Sequence, residues 1–126
     1  MTFCLIVDDS ATIRKIARKS LEEFGLVCEE AEDGVYAYEF CQKQMPGMIL
    51  LDWNMPRMNG LEFIEKLRGM ENGNAPKVLF CTTESSMDHI MSAMKAGANE
   101  YIMKPFDQII LRTKLVQLDI LEDVEA

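Results

Sequence analysis

Apolar residues in this chain fall into two kinds of grouping that alternate along it. Phe3-Cys4-Leu5-Ile6-Val7, Met48-Ile49-Leu50-Leu51 and Val78-Leu79-Phe80-Cys81 are short and apolar at every position. Each is rich in strand formers and predicts a strand, and the first two predict strands of a parallel sheet buried on both faces. Leu26-Val27-Cys28 begins a second, weaker strand, and Tyr101-Ile102-Met103 predicts the fifth. The acidic stretch Glu29-Glu30-Ala31-Glu32 that follows the first of these predicts an edge position, where charge discourages aggregation.

Between these runs the spacing changes to threes and fours. Ile13, Ile16, Ala17, Leu21 and Phe24 define one apolar helical face, opened by Ser10 as a cap and closed by Gly25. Asp33-Gly34 opens a second helix with Val35, Ala37, Tyr38 and Cys41 at its apolar positions. Leu61, Phe63, Ile64 and Leu67 belong to a third, after the loop from Trp53 to Gly60. A fourth is predicted from about Ser86 to Ala96, stopped by Gly97, and a fifth from about Asp107 to Leu121. Strand and helix thus alternate five times. Right-handed crossovers then predict a single-domain, doubly wound (βα)5 three-layer α/β sandwich over residues 1–121. Residues 122–126 are expected to be a short frayed tail, with no effector domain attached.

Composition narrows the function more than the fold. The chain has 126 residues and a formal net charge of -8. Nucleic-acid binding draws on clustered Lys and Arg, and this balance argues against it. The one basic cluster, Arg14-Lys15 with Arg18-Lys19, has the spacing of a solvated helix face. No apolar stretch approaches the roughly 20 residues that span a bilayer, so no membrane insertion is expected. The N-terminus enters a strand directly, which reads as a cytoplasmic protein without a signal peptide. Cys4, Cys28, Cys41 and Cys81 form no C-x-x-C pair, and there is one His, so a zinc site is not expected. Cys4 and Cys81 read as buried reduced thiols.

The candidate chemistry lies where the strands end. The first ends in Asp8-Asp9, the third in Asp52, the fourth in Thr82 and the fifth in Lys104. Ligands of open parallel sheets bind at the carboxyl ends of the strands. Carboxylates on neighbouring strand ends repel one another unless a cation sits between them, and oxygen-only ligation suits Mg²⁺. A carboxylate such as Asp52 can attack phosphorus and become an acyl phosphate. Catalysis of that transfer is mostly positioning and charge stabilisation. Asp9 and Asp52 would hold Mg²⁺, with the Asn54 carbonyl placed to join them. Lys104 and Thr82 would meet the remaining phosphoryl oxygens.

Here the chain resembles the response-regulator receiver domain. The matching residues are Val7-Asp8-Asp9-Ser10, Asp52-Trp53-Asn54-Met55-Pro56 with Asn59-Gly60-Leu61, Thr82-Thr83-Glu84, Lys95-Ala96-Gly97-Ala98, and Tyr101 with Lys104-Pro105-Phe106. The resemblance runs through essentially the whole chain and is closest to the stand-alone chemotaxis receivers. It implies the flavodoxin-like strand order 2-1-3-4-5. It implies that Asp52 is the phosphoacceptor for a sensor histidine kinase, with Asp8 reaching the metal through a water. It implies that Thr82 and Tyr101 move together as the switch, and that the Lys104–Pro105 bond is cis. Asn54 and Glu84 occupy the positions that tune access of water to the acyl phosphate, so the phosphorylated state is expected to be fairly short-lived.

One position departs from the family. Thr83 stands where Ala or Gly is usual, and its branched side chain is expected to narrow the phosphoryl pocket. Thr83→Ala is accordingly expected to change the rate of phosphorylation or of switching. Stopped-flow Trp53 fluorescence checks this, and unchanged rates in both steps would remove the steric argument.

With no effector domain expected, the output is expected to be a protein contact. Met87, Ile90, Met91 and Met94 share one stripe of the fourth helix. Periodicity alone lets that stripe face the sheet. The resemblance instead places Ile90, Met94, Tyr101 and Lys114 on an exposed signalling face, so Met87, Ile90, Met94 and Tyr101 are expected to form an apolar docking patch. The expected target is a flagellar switch protein. A relay role, in which a histidine phosphotransfer protein is the partner or a different target is controlled, is the alternative. The protein is expected to be a monomer. The 10 Met residues otherwise read as adaptable core filler. Trp53 reads as a partly exposed loop aromatic and a natural fluorescence reporter, and His89 as a surface residue. Two other classes fit less well. A small aspartyl-phosphate phosphatase needs a second Asp where Asn54 stands, and a flavin or nucleotide module needs a Gly-, Ser- or Thr-rich loop where Asp8-Asp9-Ser10 stands.

Overall fold

A computed structural model describes residues 2–83 and 87–122. Strands and helices alternate from end to end: β1 (Phe3–Val7), α1 (Ala11–Glu22), β2 (Val27–Ala31), α2 (Gly34–Lys43), β3 (Met48–Asp52), α3 (Gly60–Arg68), β4 (Lys77–Thr82), α4 (Met87–Ala96), β5 (Glu100–Met103) and α5 (Gln108–Gln117). The strands form one parallel sheet in the order β2-β1-β3-β4-β5. The order reverses between β1 and β3, which puts the ends of those two strands at the switch point. Glu84, Ser86 and the tail from 123 to 126 lie outside the described residues.

Strand alternation builds two cores. Cys4 and Ile6, Met48 and Leu50, and Leu79 and Cys81 face α1 and α5, where Ala17, Leu21, Leu111 and Leu115 cover them. Leu5 and Val7, Ile49 and Leu51, and Val78 and Phe80 face the other way, onto Ala37, Cys41, Phe63, Ile64, Leu67 and Ala93. The three layers follow from this alternation. All four cysteines are buried free thiols. Burial alone pushes Cys41 up to about 11, and burial, with the Asp52 and Asp8 charges, outweighs the pull of Lys104 and pushes Cys81 up to about 12.

Four expectations change. Glu29, Glu30 and Ala31 do not follow the second strand but lie within β2, with Glu29 and Glu30 in register with Leu5 and Ile6. The basic face of α1 is only half solvated. Lys15 and Lys19 are exposed, but Arg14 and Arg18 reach across to Glu30 of β2 at 3.1 and 2.9 Å. Arg18 also donates to the Cys28 carbonyl at 2.7 Å, so the two arginines tie the helix to the edge strand. Ile13 and Ile16 do not join the core face of α1; they are 38% and 60% exposed. The helix begins just beyond the carboxyl end of β1, so its first turns overhang the sheet. Finally, α5 stops at Gln117 rather than Leu121. Asp119 adopts φ 61, and the Ile120 and Leu121 N–H groups donate back to the Leu115 carbonyl, turning both side chains onto the α1–α5 core.

Helix caps match the sequence where oxygen side chains precede each run. Ser10, Asp33, Asn59 and Asp107 accept from the backbone N–H three residues on. Asp33 also accepts from Arg57 at 2.8 Å. Burial would raise the Asp33 carboxyl, but Arg57 and the Tyr36 N–H outweigh it and hold the group below the usual carboxylate range. A depressed carboxylate contributes stability above its unfolded pKa of about 3.9 and loses it as pH falls through the folded value. Arg57 is more than half exposed, so most of the effect belongs to the cap. Asp33→Ala is therefore expected to cost about 1–2 kcal/mol at neutral pH. Urea unfolding at a series of pH values checks this, and the gap from the unsubstituted protein is expected to narrow below about pH 4.

Candidate functional site

The site is assembled by strand ends. Asp8 leaves β1 with its N–H still donating to the Ala31 carbonyl at 3.1 Å, so the ladder carries one residue past the strand. Its Oδ1 accepts from the Ser10 N–H at 2.9 Å, and its carbonyl accepts from Arg14 at 2.6 Å. Asp8 is buried and Asp9 exposed. Asp52 ends β3, the neighbouring strand, opposite Cys81 of β4. One carboxylate oxygen from each of Asp8, Asp9 and Asp52 lies within 4.8 Å of the others.

Lys104 closes the arrangement from the end of β5. Its backbone N–H donates to the Thr82 carbonyl at 2.9 Å, and the Lys104–Pro105 bond is cis. Its Nζ donates to Asp8 Oδ2 at 2.9 Å and to Asp52 Oδ1 at 3.2 Å. One ammonium thus serves two of three clustered carboxylates, and the cluster keeps excess negative charge. Burial, helped by the charge of Asp8, pushes the Asp52 carboxyl above its ordinary value against the pull of Lys104. Burial pushes Lys104 the other way, but the Asp8 hydrogen bond and the surrounding negative charge outweigh it and the ammonium is raised. The donor set is oxygen only and compact, which suits a hard divalent cation.

The β3–α3 loop carries the rest. Asn54 is exposed, two residues beyond Asp52. The Gly60 N–H donates to the Trp53 carbonyl at 2.9 Å, which folds the loop back onto the strand end. A Cβ at Gly60 would overlap the Asp52 carbonyl, so this close approach admits only glycine. Thr82 is buried at the end of β4, and Thr83 is exposed. Thr83 shares with Asp52 and Lys104 the lining of a cleft of about 420 Å³. Ile6, Leu50 and Cys81 floor that cleft, and the overhanging Ile13 and Ile16 form its rim.

The sheet therefore brings Asp8, Asp9, Asp52 and Lys104 together, with Thr82 at the next strand end. Tyr101 stands apart in β5, half-buried opposite Phe80, with the Lys114 Nζ 4.6 Å from its ring centre. Lys114 also pairs with Glu100 at 3.3 Å. On α4 the methionine stripe faces away from the sheet: Met87 is 66% exposed, Met91 62% and Met94 38%, with Ile90 half-buried. The inward position is taken by Ala93. Sequence reasoning missed His89. It is half-buried rather than on the surface, and its ring stacks on Trp53 at 4.5 Å with 23° between planes. It also missed the role of Arg14, for which the Arg–Glu complementarity between residues 14 and 18 and residue 30 was an available signal.

Fold and site together define a doubly wound α/β domain with an acidic, lysine-bridged cation pocket at its switch point. The model of the response regulator receiver domain family matches residues 4–116, and the chain belongs to that family. It is 41% identical over 113 residues to a chemotaxis protein CheY homolog of Campylobacter jejuni, covering 88% of this chain and 87% of that protein. It is 40% identical over 113 residues to chemotaxis protein CheY1 of Helicobacter pylori, covering 88% of this chain and 91% of that one. Among solved structures, chemotaxis protein CheY4 of Vibrio cholerae is similar with a TM-score of 0.87 at 33% identity, over 94% of this chain and 98% of that one. The family is one of signalling switches rather than conventional enzymes. Among the described residues, no helix is long and apolar enough to cross a membrane.

Proposed function

We propose that this receiver is a phosphorylation switch of chemotaxis, with Asp52 as phosphoacceptor, a sensor histidine kinase as donor and a flagellar switch protein as target. The observation that carries the reading is the compact carboxylate cluster bridged by Lys104 at the β1–β3 switch point. Asp9 and Asp52, with the Asn54 carbonyl and with Asp8 through a water, would hold Mg²⁺, which would supply charge neutralisation at the phosphoryl oxygens. Asp52 attacks phosphorus; the new O–P bond forms as the P–N bond to the donor histidine breaks, and the imidazole leaves with a proton. Lys104 meets a second phosphoryl oxygen as a point charge, a short step from its position on Asp52. Thr82 donates to a third and moves with Tyr101. Asn54, Thr83 and Glu84 set how readily water reaches the acyl phosphate.

Trp53, one residue beyond Asp52, supplies the test. Its emission is expected to change on titration with Mg²⁺ and again with beryllofluoride. A folded protein that responds to neither, and that gains no phosphoryl mass from acetyl phosphate, would overturn the reading.

The output face is the outward side of α4 with Tyr101 and Lys114. Exposed Met87 and Met94 flank Ile90 there, and methionine adapts readily to a partner helix. Met94→Lys is expected to weaken target binding by about tenfold or more, because a charge would be buried in an apolar contact. Phosphorylation should be unaffected. Calorimetric titration of the phosphorylated protein with its target checks the first, and intact mass the second.

A further inference from the structure

Trp53 is gripped from two elements. Phe80, fully buried in β4, meets the indole edge-on at 5.3 Å, and His89 covers its face at 4.5 Å. Phe80 itself stands opposite Leu51 on one side and Tyr101 on the other, so the indole rests on a layer that crosses β3, β4 and β5. The Trp53 carbonyl is meanwhile held by the Gly60 N–H at 2.9 Å. Ring and carbonyl are therefore both anchored in the one residue that separates Asp52 from Asn54. His89 lies in the first turn of α4, whose outward side bears the exposed Met87, Met91 and Met94.

We propose that His89 is a positioning residue for the cation site: its ring clamps Trp53 and thereby fixes the loop backbone between Asp52 and Asn54. The inference rests on the Mg²⁺ role proposed for that loop. A loop held in one conformation presents its ligands without an ordering cost, whereas a freed indole lets the Asn54 carbonyl wander. The stack also joins α4 to the site from the side opposite its methionines. Coupling between two sites is reciprocal, so a target that shifts His89 on docking alters the grip on Mg²⁺.

The test is the Mg²⁺ affinity, measured by calorimetry on the full chain, of the unsubstituted protein and of His89→Ala, His89→Asn and His89→Phe. Aromatic pairing of this kind predicts a loss of about two- to tenfold in His89→Ala and His89→Asn. His89→Phe, which restores a ring, is expected to bind like the unsubstituted chain. In a Trp53→Leu background, His89→Ala is expected to change nothing further, a non-additivity that general destabilisation does not produce. Equal affinities across the His89 series in a protein that binds Mg²⁺ would overturn the role of His89 alone. An unsubstituted protein that takes up no Mg²⁺ would overturn the cation site itself, and this role with it. Should His89→Ala fail to fold, His89→Asn and the ring-restoring His89→Phe still decide the question.

Discussion

Asp52→Asn protein incubated with acetyl phosphate and Mg²⁺ is expected to gain no phosphoryl mass, while the unsubstituted chain gains one phosphoryl group. An amide lacks the carboxylate nucleophile, and no nearby residue shares its position at the end of β3. The same substitution is expected to raise thermal stability by a few degrees when divalent ions are chelated. Burial, with the adjacent Asp8 charge, holds the Asp52 carboxyl above its ordinary pKa despite Lys104. A carboxyl raised on folding opposes folding at every pH above its folded pKa, and the penalty fades as pH falls to the unfolded value near about 3.9. The stability gain should therefore be full at neutral pH and shrink under acid. Intact-mass spectra and melting curves in chelator at several pH values check both halves. Phosphoryl mass on Asp52→Asn would move the acceptor to Asp8 or Asp9. A lower melting temperature would mean that the pairing with Lys104 outweighs the burial of Asp52.

Arg68→Ala is expected to cost about 3 kcal/mol of stability, because one guanidinium serves four acceptors and leaves several of them dry when removed. Its Nε and Nη2 donate to the Gly97 carbonyl at 3.0 and 2.7 Å, and Nη2 also to Asn99 Oδ1 at 2.9 Å. Its Nη1 donates to the Gly73 and Pro76 carbonyls at 2.7 and 3.0 Å. Asn99 Oδ1 in turn accepts from the Val78 N–H at 2.7 Å, so the network reaches the start of β4. Arg68 thereby pins the end of α3 to the α3–β4 loop and to the turn from α4 into β5. Lysine cannot reproduce a planar fork, so Arg68→Lys should recover only part of the loss. Gly97 has φ +123, and a side chain there would strike the Arg68 stem, so Gly97→Ala should be destabilising by two routes. Urea unfolding checks the series through a lower midpoint at unchanged slope. A loss under about 1 kcal/mol in Arg68→Ala would show that water replaces the guanidinium at little cost.

Arg68 gave no signal in the sequence, since an arginine at the end of a helix reads as an ordinary basic C-terminal residue. Its acceptors lie between 5 and 31 residues away along the chain. The strand-end cluster was legible for the opposite reason. Asp8 (with Asp9 next to it), Asp52, Thr82 and Lys104 each follow an apolar run directly, and parallel strands all end on the same edge. Element positions were likewise readable from periodicity, and the ends of α5 and β2 were not. Glu29 and Glu30 look like a tail to a strand, but they pair in register with Leu5 and Ile6 inside it. Ile13 and Ile16 share a helical row with Ala17 and Leu21, and only the overhang of α1 beyond the sheet separates them from the core. The methionines of α4 show the same limit. Periodicity reports that they share a side, and it cannot say which side the sheet takes when a single alanine, Ala93, is enough to fill the inward position.

By itself the sequence determined the alternation of strand and helix, the doubly wound class and the identity of the acidic cluster, because all three depend on local periodicity and on which residue follows each run. The tertiary structure decided the bridging of Asp8 and Asp52 by Lys104, the arginine ties, the outward turn of the methionines and the stacking of His89 on Trp53. These depend on distances between residues remote in the chain, such as the 96 positions between Asp8 and Lys104, and only packing sets such distances.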